Sequence, residues 1–340
     1  MEEKTTLCPR IKFSCLRDLK AYDETAFQTG IEMVKSIFNV KKIYHDQETV
    51  LRKFFRGQNV YFSAPTGYGK SLIFQSIPIV ADYLLSVDLF TSIILVISPL
   101  KSLMLDQVNY LQSIGLNAVA ITGDADEDLV NAVKEIGCSP NLIYVSPESM
   151  LAVKKWRDIL FSENFKERCV GVVVDEAHCI SHWGYASASN SPFRKWYRNL
   201  YEFRLLLDSS VKFAVFTATA TTVTKNRIFE TLGMGVTDCY CVEKSPLKEN
   251  IKFTSTYISN GLTLEDIFDD TLNDISARME HSDRVIIYCQ SRKQCALLWQ
   301  MFSVQLGIKL YLNTVKNPRK RLVEMFHAGT RHGGKLCFFQ

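Results

Sequence analysis

Lys70 and the Asp175–Glu176–Ala177–His178 box are the residues of this chain best suited to chemistry. Each follows an apolar run. Lys70 lies in A-P-T-G-Y-G-K-S, residues 64–71, entered from Asn59–Ser63, and the box follows Val170–Val174, which reads V-G-V-V-V. Glycines at 67 and 69 let backbone N–H groups turn inward around phosphates. Lys70 then reaches the β- and γ-phosphates, and Ser71 offers a hydroxyl to magnesium. The stretch after Lys70, L-I-F-Q-S-I, reads as a helix whose N-terminus favours an anion. Thr66, Gly67, Gly69, Lys70 and Ser71 are therefore the candidate phosphate-loop ligands, with Ala64 where the pattern usually has its first glycine. The bland alternative is a chance Gly-rich turn, and the flanking strand and helix argue against it. Asp175, at the end of an apolar strand, suits a magnesium ligand, and Glu176 suits a base that polarises water. In-line phosphoryl transfer needs mostly positioning and charge neutralisation, so Lys70, Asp175 and Glu176 form a sufficient catalytic set. A surface acidic pair capping a helix is the competing reading. His178 alone would more often be structural.

These groups need an α/β frame. Short Val/Ile-rich runs at 59–63, 93–98, 117–121, 141–145, 170–174 and 211–216 alternate with helical stretches such as 101–114 and 127–137. Uninterrupted apolar runs predict strands buried on both faces of a parallel sheet, and the alternation predicts a doubly wound layer. Phe27, Ile31, Val34 and Phe38 at helical spacing predict a helix within residues 20–38, ahead of that layer. A second series predicts strands near 251–257 and 284–289 and helices near 263–280 and 292–305. The polar, proline-bearing join E-K-S-P-L-K-E-N places a boundary at 243. The expected organisation is an N-terminal helical segment (1–38), a first lobe (39–242) and a partial second lobe (243–340).

Composition sets wider bounds. A chain of 340 residues is natural for two domains, and 47% hydrophobic with 22% charged residues is ordinary for a globular protein. No apolar run approaches the roughly 20 residues that span a bilayer, and M-E-E-K-T-T-L-C-P-R does not read as a secretory signal. Ten cysteines without a Cys-x-x-Cys pair fit a reducing compartment and no zinc site. A net charge of +4 permits a nucleic-acid partner without arguing for one, and K-N-P-R-K-R at 316–321 reads as a nuclear address, a phosphate-facing patch or a solvated helix start.

With these strings in place, the chain resembles superfamily 2 helicases, and within them the RecQ family of DNA helicases, from about residue 38 to about 295. Gln47, 23 residues before Lys70, matches the family's adenine-reading glutamine, and Tyr44 stands where an arginine is usual. S-P-L-K-S-L-M-L-D-Q-V (98–108), with Ser98 and Lys101, matches a motif that contacts the nucleic-acid backbone. Y-V-S-P-E-S-M (144–150) fits the next motif. D-E-A-H-C-I-S-H-W-G (175–184) is the most RecQ-like string, and it implies that Trp183 begins an aromatic-rich loop coupling DNA binding to hydrolysis, ending at Phe193, Arg194 and Tyr197. A-S-A-S-N-S (186–191) is an apparent insertion in that loop. F-T-A-T-A-T (216–221), with Thr217 and Thr219, fits the motif linking hydrolysis to strand movement. R-V-I-I-Y-C-Q-S-R-K-Q-C (284–295), with Ser291 and Arg292, fits the first motif of the second lobe.

The resemblance implies two RecA-like lobes, the second incomplete, using ATP and Mg²⁺ on single-stranded and tailed duplex DNA, with 3′-to-5′ movement and a nuclear location. H-A-G-T (327–330) resembles a pre-strand segment of the second lobe, but the pattern of an arginine finger is not met before Gln340, so a truncated gene product with impaired turnover is expected. An RNA helicase of the same superfamily and a non-catalytic ATP- and DNA-binding module are the two rival readings. Without the family, the mixture of Trp183, Tyr185, Phe193, Trp196 and Tyr197 with Arg194, Lys195 and Arg198 suits base stacking and phosphate contact, or else an amphipathic core segment.

Overall fold

A computed structural model describes residues 22–123, 130–131, 133, 140–185, 194–207, 211–235, 237–259, 261–312 and 320–326. The chain divides into two compact units at Ile251/Lys252.

The first unit is built on a seven-stranded sheet whose pairs are all parallel, in the order β3-β4-β2-β5-β6-β1-β7. The strands are β1 (Asn59–Ser63), β2 (Ile93–Ile97), β3 (Ala118–Ile121), β4 (Leu142–Val145), β5 (Cys169–Val174), β6 (Lys212–Thr217) and β7 (Cys239–Glu243). Six of them lie on the predicted apolar runs. Four of those, β1, β2, β4 and β5, are buried along their whole length, the signature of a parallel sheet covered on both sides. β7 is the addition. Among the described residues it pairs with β1 alone, its middle residues are half-buried, and C-Y-C-V-E holds a single Val and no Ile or Leu, so it lacks the Val/Ile-rich run that marks the other strands.

Period-two alternation sends neighbouring residues of each strand into different cores. Val60, Phe62, Val173, Ala214 and Phe216 pack with α1 (Glu24–Ile37), α2 (His45–Phe55), α3 (Lys70–Leu85) and α4 (Lys101–Ser113). Tyr61, Val172, Val174, Phe213 and Val215 pack on the other face. There they meet α5 (Pro147–Ala152), α6 (Lys154–Ile159), α7 (Glu163–Arg168), α8 (His178–Trp183), α9 (Tyr201–Leu206) and α10 (Thr222–Leu232). Phe27, Ile31 and Val34 of α1 are buried in the first of these cores, so the described part of the N-terminal helical segment belongs to this unit. Asp23 caps α1 by accepting the Thr25 N–H at 2.8 Å. Of the predicted 127–137 helix, the described residues 130, 131 and 133 are helical.

The second unit contains α11 (Leu264–Ile267), α12 (Asp269–Arg278) and α13 (Arg292–Leu306), packed through Leu272, Ile275, Met301, Phe302, Leu306 and Leu310. Both helical stretches predicted here are found, the first divided into α11 and α12, but the two predicted strands are a correction. Residues 251–257 and 284–289 form no strand and no ladder among the described residues. Phe253 is 77% exposed and Tyr288 is 90% exposed. An apolar run becomes a strand only when a neighbour accepts its backbone hydrogen bonds. The described residues of this unit supply none for these runs. No helix among the described residues is long and apolar enough to cross a membrane.

Candidate nucleotide and nucleic-acid site

All strands of the sheet being parallel, their carboxyl ends lie along one edge, the usual place for ligands in such sheets. The registers Ile97↔Val174, Val174↔Val215 and Ser63↔Thr217 bring the exits of β2, β5, β6 and β1 side by side. Those exits are Ser98, the Asp175–His178 box, the Thr217–Thr219 turn and the phosphate loop. The topology thus assembles four of the sequence motifs at one edge.

The phosphate loop takes the predicted shape. Gly67 and Gly69 have φ of 86° and 80°, and Gly69 caps α3, so Lys70 and Ser71 open that helix. Thr66 is exposed and borders a shallow cleft of about 230 Å³ with Pro65, Ala218, Thr219, Pro246, Lys248 and Ile251. The Lys70 ammonium donates to the carbonyls of Ala64 at 2.8 Å and Pro65 at 3.1 Å. Burial lowers its proton affinity, and the negative charges of Glu176 and Asp175 oppose that shift.

Gln47 is buried beneath this loop. Its Oε1 accepts the Tyr44 N–H at 2.8 Å, and its Nε2 donates to the carbonyls of Tyr68 at 2.9 Å and Gly69 at 3.4 Å. Both ends of the amide are engaged within the chain, so the glutamine ties the start of α2 to the loop. Tyr44, the exposed N-cap of α2, has its ring 5.8 Å from that of Tyr68. Tyr68 in turn donates to Asp46 at 2.8 Å, and Lys244 lies 2.7 Å from the same carboxylate oxygen. A Cβ on Gly69 would stand 2.6 Å from Gln47 Nε2, whereas one on Gly67 would meet nothing within 4 Å. Gly67→Ala therefore carries only the cost of the left-handed backbone, about 1–2 kcal/mol. Gly69→Ala adds displacement of an anchored amide. In thermal unfolding, Gly69→Ala is expected to lower Tm further than Gly67→Ala, and equal shifts would refute the strut role of Gln47.

The carboxylate box is held by its backbone. Glu176 has φ of 48°, a left-handed conformation unusual for a residue with a side chain. Its N–H donates to Asp175 Oδ1 at 2.9 Å, and the next N–H, of Ala177, donates to Phe216 O at 2.9 Å. The strand ladder thereby continues past Glu176. Burial raises the Asp175 carboxyl pKa to about 7, with the Glu176 charge adding to the shift. Glu176 is shifted the opposite way, lowered chiefly by the His178 imidazole against it. His178 Nδ1 lies 3.2 Å from Thr217 Oγ1 and 3.3 Å from Glu176 Oε2. Thr217 spends its hydroxyl proton on Thr219 O at 3.0 Å, so its oxygen is left to accept and Nδ1 is assigned the proton. His178 therefore joins the carboxylate box to the Thr217–Thr219 turn.

The remaining candidates fall into three places. Ser98 is buried, and its hydroxyl has no hydrogen-bond partner among the described residues, while Lys101 is exposed at the first turn of α4. Trp183 and Arg194 meet, with the guanidinium 5.1 Å from the indole ring and the Arg194 N–H donating to Trp183 O at 3.0 Å. Arg194 also donates to Pro99 O and lies 3.9 Å from Glu148 Oε1. Tyr197 packs edge-on against Trp183 at 6.0 Å and is fully buried. Phe193 and the A-S-A-S-N-S insertion lie outside the described residues, as do H-A-G-T and the residues after it. Ser291 and Arg292, in the second unit, cap and open α13, where Ser291 Oγ accepts the Gln294 N–H at 3.2 Å.

Ser71 and Asp175 fit a magnesium ion. A buried carboxyl of raised proton affinity beside a second carboxylate favours a divalent cation. The described residues hold no group of three or more His, Cys, Asp or Glu suited to a metal. Magnesium commonly uses few protein ligands and completes its shell with phosphate and water.

A parallel sheet carrying a phosphate loop after β1 and an acidic box after β5, two strand ends flanking that of β6, defines a RecA-like nucleotide-binding lobe. The DEAD/DEAH box helicase family model matches residues 44–227, more than half of the chain. The chain belongs to that family. Relatives named as RecQ-like DNA helicases, from Caenorhabditis elegans and Xenopus laevis, match 88% and 79% of it. The ATP-dependent DNA helicase hus2/rqh1 of Schizosaccharomyces pombe is 28% identical over 87% of this chain and 21% of its own length. The ATP-dependent DNA helicase Q1 of Rattus norvegicus is 28% identical over 90% of this chain and 49% of its own. This chain thus spans between a fifth and a half of those last two relatives. A crystal structure of the DUF1998 helicase MrfA bound to DNA and AMPPNP shares the fold, with a TM-score of 0.59 at 16% identity, covering 87% of this chain and 39% of that one.

Proposed function

We propose that this chain is the core of an ATP-dependent DNA helicase of RecQ type, which couples ATP hydrolysis to 3′-to-5′ movement along a DNA strand. The observation that carries the reading is the contact chain Glu176–His178–Thr217 at the sheet edge shared with Lys70. In this reading Lys70 binds the β- and γ-phosphates, and Ser71 and Asp175 hold magnesium, which neutralises phosphate charge when bound. Thr66, Gly67 and Gly69 line the triphosphate, Tyr44 faces the base, and Gln47, whose amide is engaged on both sides, sets the place of Tyr44 and the loop for base recognition. Glu176 orients and deprotonates the attacking water. His178 holds the Glu176 carboxylate and reports its state to Thr217 and Thr219. Ser98, Lys101, Trp183, Phe193 and Arg194 serve the DNA strand, Tyr197 supports Trp183 from the core, and Ser291 and Arg292 serve the second lobe. The sequence relatives and the basic cluster at 316–321 support a nuclear location.

The test is ATP hydrolysis by the whole chain with and without single-stranded DNA, repeated with RNA. DNA is expected to stimulate hydrolysis and RNA to do so far less. Lys70→Ala removes charge-assisted hydrogen bonds that contribute about 1.5–3 kcal/mol, so nucleotide affinity is expected to fall about 10–100-fold. Unchanged binding of a fluorescent ATP analogue in that variant would refute the phosphate assignment. Absence of DNA stimulation in the wild type would leave an ATP-binding module in place of a helicase.

A further inference from the structure

Tyr185 follows the His-Trp-Gly string, and it is bound from two elements distant in sequence. The Arg198 guanidinium lies 5.6 Å from its ring and that of Arg227 lies 5.3 Å from the same ring. The Tyr185 hydroxyl is 2.9 Å from Thr231 Oγ1. Arg227 also donates to Ser181 Oγ at 3.1 Å. Arg227 and Thr231 are four residues apart on α10 and so share one face of it. α10 therefore grips α8 through Ser181, and the chain just past α8 through Tyr185. Arg198 brings in the far end of the loop, from the 3-10 turn Lys195–Asn199. Gly184 shows how close this approach is, since a Cβ there would lie 2.7 Å from Ile180 O and 3.0 Å from Arg198 N.

Neither arginine has a carboxylate within ion-pair distance among the described residues, so the aromatic ring and the Ser181 hydroxyl are what hold Arg227. The element that carries Arg227 starts where the site ends. Thr221 caps α10 by accepting the Thr224 N–H at 3.2 Å, just after the Thr217–Thr219 turn that touches His178. Two routes thus leave the carboxylate box and meet again at Tyr185. One runs through α8 and the other through Thr217 and α10.

We propose that Arg227, with Tyr185 and Arg198, clamps the loop after the carboxylate box onto α10, and is a positioning residue that transmits nucleic-acid binding at Trp183 and Arg194 to Thr217 and His178. The coupling half of this inference rests on the helicase reading above, whereas the clamp itself does not. Arg227 is exposed, so its replacement spares the core.

The experiment uses the full chain and Arg227→Ala, with Arg227→Lys and Tyr185→Phe as conservative partners. Hydrogen exchange reports on the clamp directly. Amides of residues 194–200 are expected to exchange at least about tenfold faster in Arg227→Ala, while those of β1 stay protected. Tyr185→Phe keeps the ring and should change exchange less. Basal ATP hydrolysis should stay within about twofold, DNA stimulation should fall at least about fivefold, and Arg227→Lys should restore part of it. The salt dependence of single-stranded DNA affinity should keep its slope. A slope reduced by about one would mark Arg227 as a phosphate contact and overturn the proposal. Unchanged exchange, or equal loss of basal and stimulated rates, would overturn it too. Should the wild type lack DNA stimulation, the helicase reading fails, while exchange still decides the clamp.

Discussion

Glu176→Gln is expected to lower ATP turnover by about 10²–10⁴-fold, the range usually lost with a general base, while nucleotide affinity changes little. The two carboxylates of the box are set apart by their surroundings. Glu176 sits against the protonated nitrogen of His178 and is held below its usual pKa, so it is a carboxylate, able to accept a proton, throughout the neutral range. Asp175 is buried, and the Glu176 charge beside it helps to raise its pKa to about 7. Below pH 7 a cation must displace a proton from Asp175, and above pH 7 it need not. Affinity for magnesium-nucleotide is therefore expected to rise between pH 6 and pH 8, by at most about tenfold per pH unit. In Glu176→Gln the neighbouring negative charge is gone, so the midpoint of that rise should move to lower pH. Single-turnover hydrolysis and titration of a fluorescent nucleotide across pH 6–8 measure both effects. A variant with near wild-type turnover would remove Glu176 from the role of base. A midpoint that stays put would show that burial alone governs Asp175.

What the sequence disclosed was set by how narrowly physics restricts each position. The phosphate loop was legible because only glycine tolerates the backbone at 67 and 69 without strain. The six strands on the apolar runs were legible because a covered parallel sheet tolerates little polarity. β7 was not, because an edge strand half open to solvent needs no Val/Ile-rich run, and C-Y-C-V-E has none. Residues 251–257 and 284–289 show the converse, since their apolar runs meet no pairing partner among the described residues. Within the site, the residue types of the box could be read, but not the engagement of the Gln47 amide on both sides, the proton on His178 Nδ1, or the grip of Arg227 on Tyr185. Each depends on which distant atoms face one another, and no local spacing encodes that.

Asp82 is the residue of greatest structural consequence that the apolar pattern of α3 conceals. It is fully buried near the end of that helix, where its two carboxylate oxygens accept the N–H groups of Phe90 at 2.7 Å, Thr91 at 3.2 Å and Ser92 at 2.8 Å. It thus folds the chain from α3 into β2. Arg168, also buried, donates to Thr91 O at 2.6 Å, and the Asp82 charge partly offsets the burial that lowers its proton affinity. Asp82→Ala would strand those donors and leave Arg168 without that negative charge. Unsatisfied buried groups cost about 1–3 kcal/mol each, so a loss of about 3 kcal/mol near pH 7.5 is expected. In a folding unit of this size that corresponds to a Tm lower by about 6–12 °C. The pH dependence has a definite sign. Burial raises the Asp82 pKa to about 6, above its unfolded value, so the folded state binds the proton more tightly. Its contribution is therefore largest below about pH 4, declines as pH rises to 6, and is level above that. Thermal unfolding of wild type and Asp82→Ala between pH 4 and pH 8 should show the gap narrowing upward through that window and persisting at pH 8. A gap that widened with pH would mean that the three N–H donors outweigh burial, and that Asp82 is an ordinary ionised cap.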